Sequence, residues 1–267
     1  MPAKPIKIVH VLAVEKEAFY FNNLVDLSDR DEFVHAFANF AGPCEFANTM
    51  LRRGLSVTNL GSLNKMRIPA AFFRLWRCLR AEDPDVVHTH LFDPTFLGLL
   101  AAKMQGRSTV LTRHHSDAVH VLEPRTKRKF YLRLERQNNR RADHIIALSR
   151  TVREIVVDRE GTPADKVSLI PNPQTVERYD RITDSMIARK RLELGMDEQL
   201  SLVCVSRLYN RKGHDFLFEA LVPLIRDGLM IKLYLVGEGE YRSQLVDGHC
   251  RSTRHCYTQR QLGKRSG

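Results

Sequence analysis

No apolar run in this 267-residue chain approaches the roughly 18 residues needed to cross a bilayer. No small-residue cleavage site follows the short apolar stretch in the opening "MPAKPIKIVHVLAVEKEAFY", so that stretch reads as a first strand and not a signal peptide. Cysteines are few: Cys44, Cys78, Cys204, Cys250 and Cys256 are odd in number and mostly far apart, which argues against a disulfide framework and for a reducing cytoplasm. Acidic side chains fall short of basic ones, 31 against 42, and the resulting charge of +11 favours anionic partners such as nucleotides, nucleic acid or acidic lipid headgroups. A Gly-x-Gly-x-x-Gly after the first strand is missing, which disfavours an NAD-linked dehydrogenase. The basic residues are not interleaved with stacking aromatics and no nucleic-acid motif is present, which disfavours a specific nucleic-acid partner.

What is present is an ordinary globular composition, 43% hydrophobic and 27% charged, with short β-branched runs alternating with helical patterns. Residues 6–12, 33–38, 55–59, 85–90, 109–112, 144–148 and 167–170 read as strands. The clearest helix spans 65–80, where Ile68, Ala71, Phe72, Leu75, Trp76 and Leu79 form one apolar stripe before Pro84. Such alternation implies parallel strands joined by right-handed crossovers, an α/β class with a doubly wound sheet. "IPNPQTVERYD", with two prolines, reads as a linker, dividing a first Rossmann-like domain, 1–172, from a second, 173–245. In the second, a helix over 184–194 precedes strands 200–205 and 232–236, two where such a domain has about five or six. From 246 to 267 the text loses its aliphatic residues and its period, and reads as a disordered or out-of-frame tail. A zinc site from His249, Cys250, His255 and Cys256 is the competing reading, but adjacent His-Cys pairs are not a usual ligand spacing.

The stretch "VSRLYNRKGHDFLFEAL" runs a strand into a helix through Ser206, Arg207, Lys212 and Gly213. Free N–H groups and the helix dipole favour negative charge at such a junction, and two cations there suggest a diphosphate; a solvated helix start is the plain alternative. With "DVVHTHL", "VLTRHH", "RRADHIIALSRTVRE", "VSLIPNP" and "LYLVGEGEYRSQL" in this order, the chain resembles the retaining GT-B glycosyltransferases that use nucleotide-diphosphate sugars. The resemblance covers about residues 6–245. It implies two Rossmann-like domains facing each other across a cleft, acceptor on the first and donor on the second. Ser206, Arg207, Lys212 and Gly213 would then hold the donor's diphosphate, with Arg207 and Lys212 neutralising charge on the leaving phosphate. The donor is a substrate, no cofactor is implied, no metal is required, and no Asp-x-Asp metal motif is expected.

By the same resemblance, His114 matches the histidine that faces the donor sugar, with His115 beside it, and Gly237 and Gly239 would wall the nucleotide pocket, unless they serve a plain tight turn. His88 and His90, two apart on one strand, share a face and either line the same cleft or pack. Asn172 matches a hinge asparagine, with Pro173 where glycine is usual. The segment 124–143 carries eight Lys or Arg, with Phe130, Tyr131 and Leu134 at helical spacing. It reads as a surface helix packed on the sheet by that stripe, or as peripheral contact with an anionic membrane. The family's acceptors are lipid-linked, envelope or polysaccharide glycans. Two family features are missing, a double glycine after the first strand and a paired-glutamate loop late in the second domain, so the chain is expected to be truncated and weakly active or inactive. The alternative is a non-catalytic glycan- or lipid-headgroup-binding domain.

Overall fold

The computed structural model describes residues 4–64, 67–114, 123–196, 200–248 and 256–259. The possible zinc ligands His249, Cys250 and His255, and also His115, lie outside them, as does the side chain of Cys256. The chain divides into two compact units, Met1–Thr175 and Val176–Gly267.

The first unit alternates strand and helix without interruption. Its strands are β1 (Ile6–Leu12), β2 (Phe33–Asn39), β3 (Ser56–Asn59), β4 (Val86–His90), β5 (Ser108–Arg113), β6 (His144–Ala147) and β7 (Val167–Leu169). Between them run α1 (Phe19–Leu27), α2 (Glu45–Arg52), α3 (Ile68–Glu82), α4 (Phe92–Met104), α5 (Arg125–Arg141) and α6 (Arg150–Glu154). All seven strands are parallel, in the order β3-β2-β1-β4-β5-β6-β7. This is a doubly wound sheet, and its order reverses between β1 and β4.

Both faces are covered, as an all-parallel sheet requires. One face packs Val9, Val11, Ala36, Ala38 and Val87 against Leu75 and Leu79 of α3 and Leu97 and Ala101 of α4. Helix α3 accepts Pro69 in its first turn and stops at Asp83, whose left-handed φ of 47° precedes Pro84. The other face packs Leu12 and Phe37 against Phe21 and Val25 of α1 and Phe46 and Met50 of α2. Asn23 of α1 donates from Nδ2 to the Pro173 carbonyl at 2.9 Å, and Thr175 Oγ1 donates back to Asn23 Oδ1 at 3.2 Å. These two bonds tie the "IPNP" segment to the first unit.

The second unit contains α7 (Glu177–Asp180), α8 (Asp184–Glu193), β8 (Leu200–Val205), α9 (His214–Arg226), β9 (Ile231–Val236), α10 (Arg242–Gly248) and β10 (Cys256–Gln259). The strands are parallel, in the order β10-β9-β8. Residues 256–259, which lack a strand period in the sequence, thus form a third strand beside β9. Backbone pairing supplies that strand, because register alone needs no apolar alternation. Leu208, Phe218, Leu221, Leu233, Leu235 and Leu245 make a small core, while Val203 and Val205 of β8 and Phe216 of α9 stay largely exposed. An edge strand with so little cover opens at low free energy. Native-state hydrogen exchange is therefore expected to show β8 amides exchanging at least ~100-fold faster than those of β1 and β4. Equal protection would mean that β8 is covered by further contacts.

Candidate functional site

Parallel pairing brings distant histidines onto one sheet face. His10 stands opposite His88 and Phe37 in register, and His90 opposite Thr112. Because side chains alternate faces with a period of two, His35, His10, His88, His90 and Thr112 all point the same way. The rings join: His35 Nδ1 to His10 Nε2 at 2.9 Å, His10 Nδ1 to His90 Nε2 at 3.0 Å, and His90 Nδ1 to His114 Nε2 at 3.1 Å. His88 stands beside the row and bonds Thr112 Oγ1 through Nε2 at 2.7 Å. The row begins inside the sheet and ends at His114, the residue after β5, on the carboxyl edge beside the β1/β4 switch point, where open α/β sheets bind ligands.

Helix α1 seals this row. The Tyr20 ring meets His114 and His90 edge-on at 5.0 and 5.8 Å, and the Phe21 ring meets His90 at 4.9 Å. Burial raises the Tyr20 phenol above its ordinary range, against the pull of a hydrogen bond with Thr112. His10 and His90 are held well below 6.5, first by burial and then by neighbouring imidazoles. His88 is pushed down to about 3 by burial, with His114 and His35 adding to the effect. Burial lowers His35 as well.

The structure thus brings His88, His90 and His114 together, and adds His10 and His35, which motif reading passed over. His10 lies 80 residues from its partner His90, so only strand order could have revealed the contact. Donor nitrogens of His10, His88 and His90 lie within 4.8 Å of one another, close enough to hold a metal ion. Ring-to-ring hydrogen bonds engage both nitrogens of His10 and His90, and Thr112 engages Nε2 of His88, so the set stands here as a hydrogen-bonded network. Contrary to the expectation of no Asp-x-Asp, two such triplets are present, Asp29–Arg30–Asp31 and Asp83–Pro84–Asp85; they precede β2 and β4, at the sheet edge opposite His90 and His114.

A second buried polar network follows directly. Arg113, the last residue of β5, meets Glu160 through two bonds of 2.8 and 3.0 Å and lies 3.3 Å from Glu135 of α5. Asn139 donates to Glu160 at 2.7 Å. Burial pushes Glu135 up to about 7 against the pull of Arg113, with Glu160 adding to the rise. The buried face of α5 is therefore polar, Glu135, Asn138 and Asn139. Of the apolar stripe expected to pack this helix on the sheet, Phe130 is 60% exposed, while Leu134 and Tyr131 are half-buried, Tyr131 against Phe92 of α4.

In the second unit, β8 leads through Ser206, Arg207 and a tight turn at Asn210–Lys212 to Gly213, whose φ of 74° starts α9. The N-cap, Gly213, has no side chain to cap that helix, and Asp215 stands in its first turn. Ser206 Oγ bonds His214 Nε2 at 3.0 Å, which pins the strand end to the first residue of α9. Arg207 and Lys212 are exposed, and neither has an acidic partner among the described residues. Arg207 lies over the Tyr209 ring, 5.9 Å from its centroid. Gly237 and Gly239 pack against the loop that carries Arg207: a Cβ at either would sit 1.9 Å from the Ser206 or Leu208 carbonyl oxygen. The Leu208 N–H donates to Glu238 O at 3.0 Å and the Tyr241 N–H to Leu208 O at 3.1 Å. The Gly-x-Gly is thus the seam that braces the cation loop.

Two parallel α/β units with a ligand-type edge on the first and an anion-type helix start on the second define the GT-B class of fold. The model of Glycosyltransferase Family 4 matches residues 23–178, more than half of the chain, and the chain belongs to that family. An Escherichia coli UDP-Gal:alpha-D-GlcNAc-diphosphoundecaprenol alpha-1,3-galactosyltransferase is 22% identical over 225 residues, 82% of this chain and 58% of that protein. A GDP-mannose-dependent alpha-(1-6)-phosphatidylinositol monomannoside mannosyltransferase of Mycolicibacterium smegmatis is 27% identical over 205 residues, 76% of this chain and 52% of that one. The chain therefore spans about half the length of the curated relatives it matches. Anabaena HepE, solved with UDP and glucose, superposes with a TM-score of 0.76 at 20% identity, covering 98% of this chain and 70% of that one.

Two measurements check this geometry. Gly239→Ala forces its Cβ into the Leu208 carbonyl and is expected to destabilise the second unit by about 2–4 kcal/mol, read as a lower unfolding midpoint for probes in β9. The histidines also predict acid sensitivity. Their folded pKa values lie below the unfolded 6.5, so the stability they confer is full above pH 6.5 and is lost as pH falls toward their folded values. From pH 7.5 to 5 the loss is on the order of 2 kcal/mol for each of His10, His88 and His90. Glu135 has the opposite sign: its folded pKa is raised, so it favours folding most below its unfolded value and offsets about one histidine. Urea midpoints should fall over this range, and Glu135→Gln should make the fall steeper.

Proposed function

We propose that the chain acts as a glycosyltransferase that moves a sugar, with retention, from a nucleotide-diphosphate donor to a lipid-linked, envelope or polysaccharide acceptor. The observation that carries this reading is the β8–α9 junction: two exposed cations without acidic partners among the described residues, beside a helix start whose N-cap is Gly213. Anions are favoured there by the helix dipole and by unpaired N–H groups. As the bond between sugar and phosphate breaks, negative charge grows on the leaving diphosphate, and Arg207 and Lys212 stabilise it electrostatically. Fixed cations suffice for that role, which is why the reading needs no metal. Ser206 holds the strand end in place through His214, and Gly213, Gly237 and Gly239 let backbone approach closely. His114, at the carboxyl edge of the first unit, contacts the donor sugar in this reading.

The acceptor class is supported by the relatives, whose names include a diphosphoundecaprenol and a phosphatidylinositol acceptor. No helix among the described residues is long and apolar enough to cross a membrane. Peripheral contact at the inner, cytoplasmic face is supported by α5, where basic residues flank the exposed Phe130. Isothermal titration with UDP and with GDP tests the site: Arg207→Ala and Lys212→Ala should each weaken binding at least ~10-fold. Undiminished binding in both variants would sink the site assignment, while tight UDP binding without transfer from any UDP-sugar would favour a binding module over an enzyme.

A further inference from the structure

The row of imidazoles has a direction. Each of its three hydrogen bonds needs one protonated and one bare nitrogen, and each neutral ring carries one proton, so fixing any one ring fixes all four. His35 sets the choice. Its Nδ1 meets His10, while its Nε2 is buried without a hydrogen-bond partner among the described residues. If protons pointed inward along the row, Nε2 of His35 would be an orphaned buried N–H; if they point outward, it is only an unused lone pair. Orphaned buried N–H groups are the rarer and costlier of the two.

We propose that His35, His10 and His90 are positioning residues that hold His114 in one tautomer, with Nε2 bare and accepting from His90 and Nδ1 carrying the proton. All four rings are then in the Nδ1–H form: His35 donates to His10, His10 to His90 and His90 to His114. Burial keeps the inner rings uncharged, so no second proton disturbs the order. Tyr20 and Phe21 exclude water from the row by packing on its last two rings. Resting on the reading of His114 as a donor-sugar contact, the consequence is specific. In this form the His114 proton sits on Nδ1, so toward a sugar oxygen the ring is a hydrogen-bond donor and not a general base. An imidazole free in water prefers the opposite, Nε2–H form, so the fold is selecting against the default.

The test is a long-range proton–nitrogen correlation spectrum of the full chain labelled with 15N-histidine, at pH 7.5 without ligand. The expected result is a pyrrole-type Nδ1 and a pyridine-type Nε2 for His114, His90 and His10. A His114 in the Nε2–H form, or an even mixture, would overturn the proposal. His90→Leu should return His114 to the Nε2–H form, while His90→Asn, with an amide nitrogen near the position of Nδ1, should keep the Nδ1–H form. The wild-type spectrum stands even if either variant fails to fold. Equimolar Zn2+ is the counter-test: movement of the His10, His88 and His90 nitrogens on its addition would make the cluster a metal site and end the proposal. The spectrum needs no donor, so it separates the two readings. A correct tautomer together with undiminished UDP-glucose binding and transfer by His114→Ala would remove the sugar-contact role and leave the row intact.

Discussion

The register between β1 and β4 is the constraint on which the first unit depends. Those strands are joined through two further strands and three helices, yet they pair directly, at the point where the sheet reverses its order. A slip of one residue between them would turn either His10 or the pair His88 and His90 to the opposite face, into the aliphatic contacts of α3 and α4, and break the His10–His90 bond at the centre of the row. The same register sets His90 against Thr112 and so places His114 at the sheet's carboxyl edge. Sheet pairing, core segregation and the candidate site are consequences of one alignment.

The two units handle charge in opposite ways. In the first, titratable rings are taken out of water and satisfy one another as neutral donors and acceptors, which costs less than burying ions. In the second, Arg207 and Lys212 stay in solvent, where a cation carries no desolvation penalty and remains available to an anion. Between these extremes lies Arg113, buried but answered by Glu160 and Glu135. Removing one partner of such a set leaves an uncompensated buried charge, so this network serves geometry at the end of β5 more than net stability.

Much of this was legible in the sequence for a simple reason: strands such as β1 and β8 are short β-branched runs, and α3 is a stripe at helical spacing between Pro69 and Pro84. The expected helix and strand bounds shift by a few residues at their ends, as capping and fraying dictate. What was not legible is non-local. His10 and His35 sit in apolar strands with nothing nearby to mark them, and their partners become visible only with strand order. The most buried positions of α5 are polar because Arg113 and Glu160, both outside the helix, provide their partners, which a hydropathy stripe does not reveal. β10 has no apolar alternation and follows from pairing with β9. Gly237 and Gly239 read in the sequence as a turn or a pocket wall, whereas the 1.9 Å approach to two carbonyls gives them a definite task.

The central claim is that a nucleotide diphosphate is held at the β8–α9 junction. Hydrogen-exchange mass spectrometry of the full chain, with and without saturating UDP, tests it most directly. The account predicts new protection concentrated in residues 206–214, with the backbone of β2 and β3 unchanged. Protection elsewhere with none at that loop, or no change at any UDP concentration, would contradict it.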